Sequence, residues 1–138
     1  MNINREIELH DSTLKEVKLN QADAILSFDR AYVHHSEGIP GFDRGTGYSQ
    51  KINLILKKVS KVNIPDDLPN DISDGHIIVD GKKLDNMIPL PFKAFGKIQL
   101  FFVTQYGKEL KIKAEEAYCE EVDQPIFIEN FPGFNENQ

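Results

Sequence analysis

The run QKINLILKKVSKV, residues 50–62, decides the fold class. Ile52, Leu54, Leu56 and Val62 fall on one face of an extended chain and Lys51, Asn53, Lys57 and Lys61 on the other, with Ile55 and Val59 as apolar exceptions. Successive side chains of a strand point to opposite sides, so this period of two predicts a long strand over the core. The same period recurs outward from it. Over 97–106, Ile98, Leu100, Phe102 and Tyr106 share a face, and Phe101 and Val103 on the other are also apolar, which predicts a central strand buried on both sides. Over 109–118, Leu110, Ile112, Ala114 and Tyr118 oppose Lys111, Lys113 and Glu115, and Gly107-Lys108 is read as a two-residue hairpin connection.

Further strands are expected at 24–35, where Asp29-Arg30 marks a β-bulge, at 125–131, and at 13–20, where Val17 and Leu19 outweigh the capping-box spacing of Thr13 and Glu16. Another ends after Ile7 and Leu9, with Asp11 and Ser12 as turn residues. Asp80-Gly81 predicts a type I′ hairpin turn. The glycine- and proline-rich stretch 36–47 reads as a loop between two long strands, and 64–75 as a surface excursion. Many short strands joined by such turns, with little helix signal, predict an all-β single domain over 1–131, an antiparallel β-sandwich or open barrel. The polar tail 132–138 is expected to fray.

Composition narrows the class. A chain of 138 residues, 40% hydrophobic and 28% charged, is one ordinary globular domain, which excludes disorder, collagen and coiled coil. The single cysteine, Cys119, excludes a disulfide framework and a cysteine-rich zinc site, and reads as a small half-buried residue in a reducing compartment. Residues 1–12 carry Arg5, Glu6, Glu8, His10 and Asp11 instead of an apolar run, so a cytoplasmic protein with no membrane partner is expected. Net charge is −6, and no basic stripe interleaved with aromatics is visible along the chain, so no nucleic-acid partner is expected.

His10-Asp11-Ser12 holds the residue types of a hydrolytic triad, but consecutive side chains on a strand alternate in direction and cannot form one relay. A turn role is expected there, with His10 available to a site assembled from distant parts. His34 and His35 likewise face opposite ways and cannot both ligate one ion, and no histidine pair has zinc spacing, so no metal and no cofactor are expected. Gly45-Thr46-Gly47 lacks the rest of a phosphate-loop motif and a following helix. Its glycines are read as turn formers that display Phe42, Asp43, Arg44 and Tyr48. The aspartates of 66–74 fail the EF-hand register and read as turn residues. Glu115, Glu116, Glu120 and Glu121 form a candidate docking face for a basic protein partner.

The segments 8–14, Glu-Leu-His-Asp-Ser-Thr-Leu, 23–28, Asp-Ala-Ile-Leu-Ser-Phe, and 126–131, Ile-Phe-Ile-Glu-Asn-Phe, resemble small bacterial β-domains that open with a Leu-His-Asp-Ser segment and close with an aromatic-acidic strand. Some domains of that kind are associated with immunity to polymorphic toxins. The resemblance implies a non-enzymatic binding or interaction module in a bacterium, and no residue role is carried over from it. The alternative expectation is a small enzyme or ligand carrier whose pocket gathers His10, His34 or His35, Glu37 and Tyr48 at one end of a barrel. A homodimer through Phe101, Val103, Phe131 and Phe134 is a third expectation.

Overall fold

The computed structural model describes residues 2–134. Ten strands follow one another: β1 (Asn4–Asn20), β2 (Asp23–Ser36), β3 (Gly45–Lys57), β4 (Lys61–Asn63), β5 (Asn70–Val79), β6 (Lys82–Asp85), β7 (Met87–Leu90), β8 (Lys93–Thr104), β9 (Glu109–Glu121) and β10 (Ile126–Phe131). No helix occurs among the described residues. Six strands close an antiparallel barrel in the order β1-β2-β3-β9-β8-β5, with β5 returning to β1 through Thr13–Asp71 and Leu14–Asn70. β4 adds to β9, β6 to β5, β7 to β1 and β10 to β3. The all-β, antiparallel expectation holds, and of the two architectures the barrel is the one that forms.

The inward sets fill the barrel: Leu26 and Phe28 from β2, Ile52, Leu54 and Leu56 from β3, Leu100 and Phe102 from β8, and Leu110 and Ile112 from β9 are all buried. Each such side chain contributes roughly 1.5–3 kcal/mol of transfer free energy, which is why the period of two was the dominant sequence signal. β1 is strand throughout 13–20, as Val17 and Leu19 predict. Asp80 and Gly81 both take positive φ, 49° and 84°, as a type I′ turn requires. The bulge at Asp29-Arg30 is present: Phe28 pairs with Ile52 and Ala31 with Gln50, so β2 gains one residue on β3.

Several expectations are corrected, among them the 64–75 excursion, of which 70–75 belongs to β5 with Ile72 buried. The 50–62 run is two strands, because Lys58 turns into the left-handed region (φ 57°) and Val62 moves to β4. The loop after β2 is shorter than 36–47: Gly45, Thr46 and Gly47 belong to β3, paired to Ser36, His35 and His34. β1 does not end after Leu9 but runs on through a bulge. The β8–β9 connection is 105–108, with Gly107 at φ 82°, so Tyr106 is 78% exposed instead of inward. Phe101 and Val103 are half-buried on the outside of β8, so burial on both faces is only partial. Of the tail expected to fray, Phe134 N–H donates to Phe42 O at 2.8 Å, and 135–138 lie outside the described residues. Cys119 is half-buried as expected, and burial pushes its thiol up to about 12.

Candidate functional site

Beyond two bulges the strands leave the closed barrel and flare into a ribbon of β7, β1, β2, β3 and β10. In β1, residues 9–12 stand against Ala31 alone, since Glu8 pairs with Tyr32 and Thr13 with Arg30. Asp11 at φ 81° makes the excursion possible. Buried Ser12 fills it: its Oγ donates to Glu8 O (2.6 Å) and accepts from Tyr32 N (2.9 Å). Asn86 clamps it from outside, its backbone O and its Oδ1 accepting from Leu9 N and His10 N, each at 2.8 Å. His10-Asp11-Ser12 is therefore a built bulge, in line with the structural role expected of it.

On the ribbon, cross-strand partners share a face, so Arg5, His35, Thr46, Tyr48 and Gln50 continue the core-facing side of Ile7, Val33 and Ile52. Tyr32, His34 and Ser36 point the other way. The two adjacent histidines thus stand on opposite faces, as their spacing dictates.

The outer side is covered by the loop 37–44 and by Phe131. Tyr32 OH donates to Glu129 Oε2 at 2.6 Å. It reaches across Gly47, where any Cβ would collide with the Tyr32 hydroxyl, so the glycine there serves a close approach and not a turn. Burial first, and then the Glu129 carboxylate, push the Tyr32 phenol far above its ordinary value. His34 Nε2 donates to Glu8 Oε1 at 2.7 Å, and its ring lies between Tyr32 and Phe131 at centroid distances of 4.8 and 5.2 Å. The acceptor-only carboxylate places a proton on Nε2. Nδ1 is buried with no hydrogen-bond partner among the described residues. His10 Nδ1 approaches Asp11 Oδ1 (3.2 Å) and Glu8 Oε2 (3.8 Å), so one carboxylate joins His10 to His34. Glu8, His10 and Asp11 bring one potential ligand atom each within 4.8 Å and are, among the described residues, the group able to hold a cation. Two of the three are exposed, and a partly hydrated ion is the most such a set would take.

The inner side is a polar network. Arg5 donates twice to Glu121, at 2.7 and 3.1 Å, and Gln50 Nε2 donates to Glu121 Oε1 and to Asp123 O, both at 2.9 Å. The Arg5 hydrogen bond, aided by Gln50, holds the Glu121 carboxyl below its ordinary range. Beside it the His35 ring lies against Tyr48 with centroids 4.0 Å apart, and Phe127 meets Tyr48 edge-on at 5.9 Å. Burial, then the Arg5 charge, lower the His35 pKa, and His35 Nε2 is buried without a hydrogen-bond partner among the described residues. An open groove of about 800 Å³ runs round this end of the sheet, lined by His35, Glu37, Arg44 and Tyr48 and also by Ser36 and Phe131 of the outer side.

The structure therefore brings His35, Glu37, Arg44 and Tyr48 into one groove and sends His10 and His34 to the opposite face. Phe42 is displayed, 45% exposed, but Asp43 turns inward and accepts from Ile39 N at 2.7 Å, closing its own loop. The acidic quartet is divided. Glu115 and Glu120 are exposed, Glu116 faces out beside Lys57, and Glu121 shares the core-facing side of Ile52 under Arg5. Arg5, Gln50, Tyr32, Glu8 and Glu129 escape sequence reasoning. Arg5 and Glu121 are 116 positions apart, and only the register of β1, β2, β3 and β9 makes them neighbours. No helix of the described residues is long and apolar enough to cross a membrane. No family model, curated protein or solved structure matches the chain.

Proposed function

We propose that the protein is a binding module that takes a basic protein partner on the flared end of the barrel. One observation carries this reading. Ile39 and Phe42 of the loop, Ile126, Phe127 and Ile128 of β10, and Phe134 are all exposed at that end, by 38–75%. Leu19, Ile64, Phe95 and Tyr106 are exposed singly elsewhere. Scattered apolar residues need no explanation, whereas a gathered set marks an interaction surface. β10 pairs only with β3 among the described residues, so its second edge can take an added strand. Asp123 precedes it and Glu129 lies within it, which favours a partner of positive charge. A cytoplasmic, bacterial, immunity-like role, in which the partner is a toxin, belongs to this proposal and rests on the resemblance of the two chain ends.

The test is titration of the purified product of the adjoining gene against the wild type and the double variant Ile126→Lys, Ile128→Lys. The expected result is binding that weakens with salt and at least tenfold in the variant. Equal affinities, or no binding, would sink the reading. A second reading, a ligand carrier or small enzyme, is favoured by the unpartnered His35 Nε2 in the wall of the groove. It expects small anionic or hydroxylated compounds to raise the melting temperature of the wild type but not of His35→Gln, and a screen with no such compound removes it.

A further inference from the structure

On the far side of the barrel the strand register assembles a surface that no stretch of sequence displays. Lys61 of β4, Lys113 of β9, Gln99 of β8, Ile78 of β5 and Lys83 of β6 are successive cross-strand partners and lie in one row. The adjacent outward row runs Asn63, Lys111, Phe101, His76 and Asp85. The rows lie on the outside because the row between them holds Ile112, Leu100 and Ile77, which are buried in the core. Of these, Lys61, Lys113, Gln99, Ile78, Lys111, Phe101 and His76 line a groove of about 430 Å³. Phe101 stands in its middle, its ring 5.4 Å from that of His76 and 5.9 Å from Lys111 Nζ. Lys61, Lys83 and Lys113 make no ion pair among the described residues, while Lys111 reaches Glu109 at 3.3 Å. A chain of net charge −6 thus sets three lysines, Lys61, Lys111 and Lys113, in one groove with an aromatic ring, and a fourth, Lys83, at the far end of the same row.

We infer that this face binds single-stranded nucleic acid. Unpaired ammonium groups on either side of an aromatic ring are what a single strand requires: phosphates on the lysines, a base on the ring, and sequence tolerance because every base has a π-face. Gln99 between them offers both a donor and an acceptor to a base edge. From β4 to β6 the face spans four inter-strand spacings of about 4.8 Å, roughly 19 Å, which suits the short end of the roughly 4–16 nucleotides such barrel sites take. A duplex is disfavoured because the ring is flanked by its own strand neighbours and no helix or ribbon projects into a groove. An acidic protein segment would satisfy the lysines but leave the ring and Gln99 without a role. The site lies on the opposite part of the fold from the flared end, so this inference does not depend on the proposed protein partner.

The experiment is fluorescence anisotropy with labelled twelve-residue oligo-uridylate and oligo-deoxythymidylate from 25 to 200 mM salt. Both should bind, with log affinity falling linearly against log salt by about 0.7 per phosphate neutralised. A preference between them tells which sugar the natural strand carries, and either preference supports the inference. Lys61→Glu with Lys113→Glu, both exposed positions, should weaken binding at least tenfold, and Phe101→Leu should weaken it about tenfold through lost stacking. Should Phe101→Leu fail to fold, the lysine pair alone decides. Ile126→Lys with Ile128→Lys should not weaken the oligonucleotide affinity, which separates this test from that of the protein partner. No binding at 25 mM salt, unaltered affinity in the lysine pair, or a poly-glutamate chain that competes as well as an oligonucleotide of equal charge would overturn it.

Discussion

The closed barrel and the flared ribbon are built from the same three strands, β1, β2 and β3, yet they treat the two sides of those strands differently. In the barrel the inner side carries Leu26, Phe28, Ile52 and Leu54, all buried, and the outer side mixes the Ile25–Ile55 pair with Ser27, Asn53 and Lys57. In the ribbon the inner side carries Arg5, His35 and Gln50, while the outer side, with Tyr32, His34 and Ser36, is buried beneath a loop and Phe131. The change falls at the two bulges, residues 9–12 and Asp29-Arg30. A bulge adds residues to one strand, increases its twist and lets a sheet bend out of a closed ring. Once the ring opens, the inner side meets water and can be polar, and the outer side needs a lid. The barrel is thus held by burial throughout, and the ribbon by Ile7, Val33, Ile88 and Leu90 where it joins the core and by a few specific hydrogen bonds beyond them.

The largest expected contrast follows from that division. Leu54→Ala, in the fully enclosed part, should lose about 2–5 kcal/mol by urea unfolding, because the surrounding barrel cannot collapse onto the cavity. Phe127→Ala, on a ring 53% exposed in the ribbon, should lose no more than about 1 kcal/mol. Similar losses would mean that the rim of the ribbon around Phe127 is packed as tightly as the barrel interior. Next in size, Gly47→Ala puts a methyl group into the space of the Tyr32 hydroxyl and should lose about 1–3 kcal/mol. Its diagnostic is local. With the Glu129 bond broken, ultraviolet titration should show Tyr32 ionising closer to the ordinary value of 10.0, whereas in the wild type it stays un-ionised well beyond it.

The barrel was legible and the ribbon was not, for one physical reason. Inward apolar residues of a barrel strand alternate along the chain itself, so Ile52, Leu54 and Leu56 announce their side without knowledge of their neighbours. Gly47 reads as a turn former because nothing near it in sequence reports that Tyr32, fifteen positions earlier, passes over it. The same holds for the lysine face: Lys61, Lys83 and Lys113 belong to three strands, and only register puts them in one row. Where alternation did carry information at the site, in His34 and His35, it separated them correctly. The acidic quartet shows the limit, since Glu120 and Glu121 are adjacent yet fall on opposite faces, one bonded to Asn53 and the other to Arg5.

A smaller effect sharpens the inner side. Arg5→Met removes a two-bond ion pair that is partly exposed, so about 0.5–1 kcal/mol should be lost at neutral pH. The sign with pH is fixed by Glu121. Its folded pKa is depressed from 4.5, so the stabilisation is fully present above 4.5 and is lost as pH falls through the lower folded value. Wild type and variant should therefore converge in strong acid, and unfolding curves that stay parallel would place the stabilisation elsewhere.

The smallest effect belongs to His35, and it tests whether the inner side excludes water from its deeper wall. Burial, with Arg5 next, lowers the His35 pKa below 6.5. The unfolded chain then holds the proton more tightly than the folded one, so stability is complete above pH 6.5 and declines as pH falls toward the folded value. In the wild type the melting temperature should fall between pH 7 and 5 by this contribution. His35→Gln, which carries no titrating ring, should melt lower at pH 7 through lost packing on Tyr48, but with a flatter profile over that interval. Arg5→Met should lie between the two, because it removes the repelling charge and leaves the burial in place. If Arg5→Met matched His35→Gln, the charge and not the dry wall would control the histidine. The groove beside Tyr48 would then be a wet surface suited to a protein partner, and the case for a small ligand seated against His35 would lose its ground.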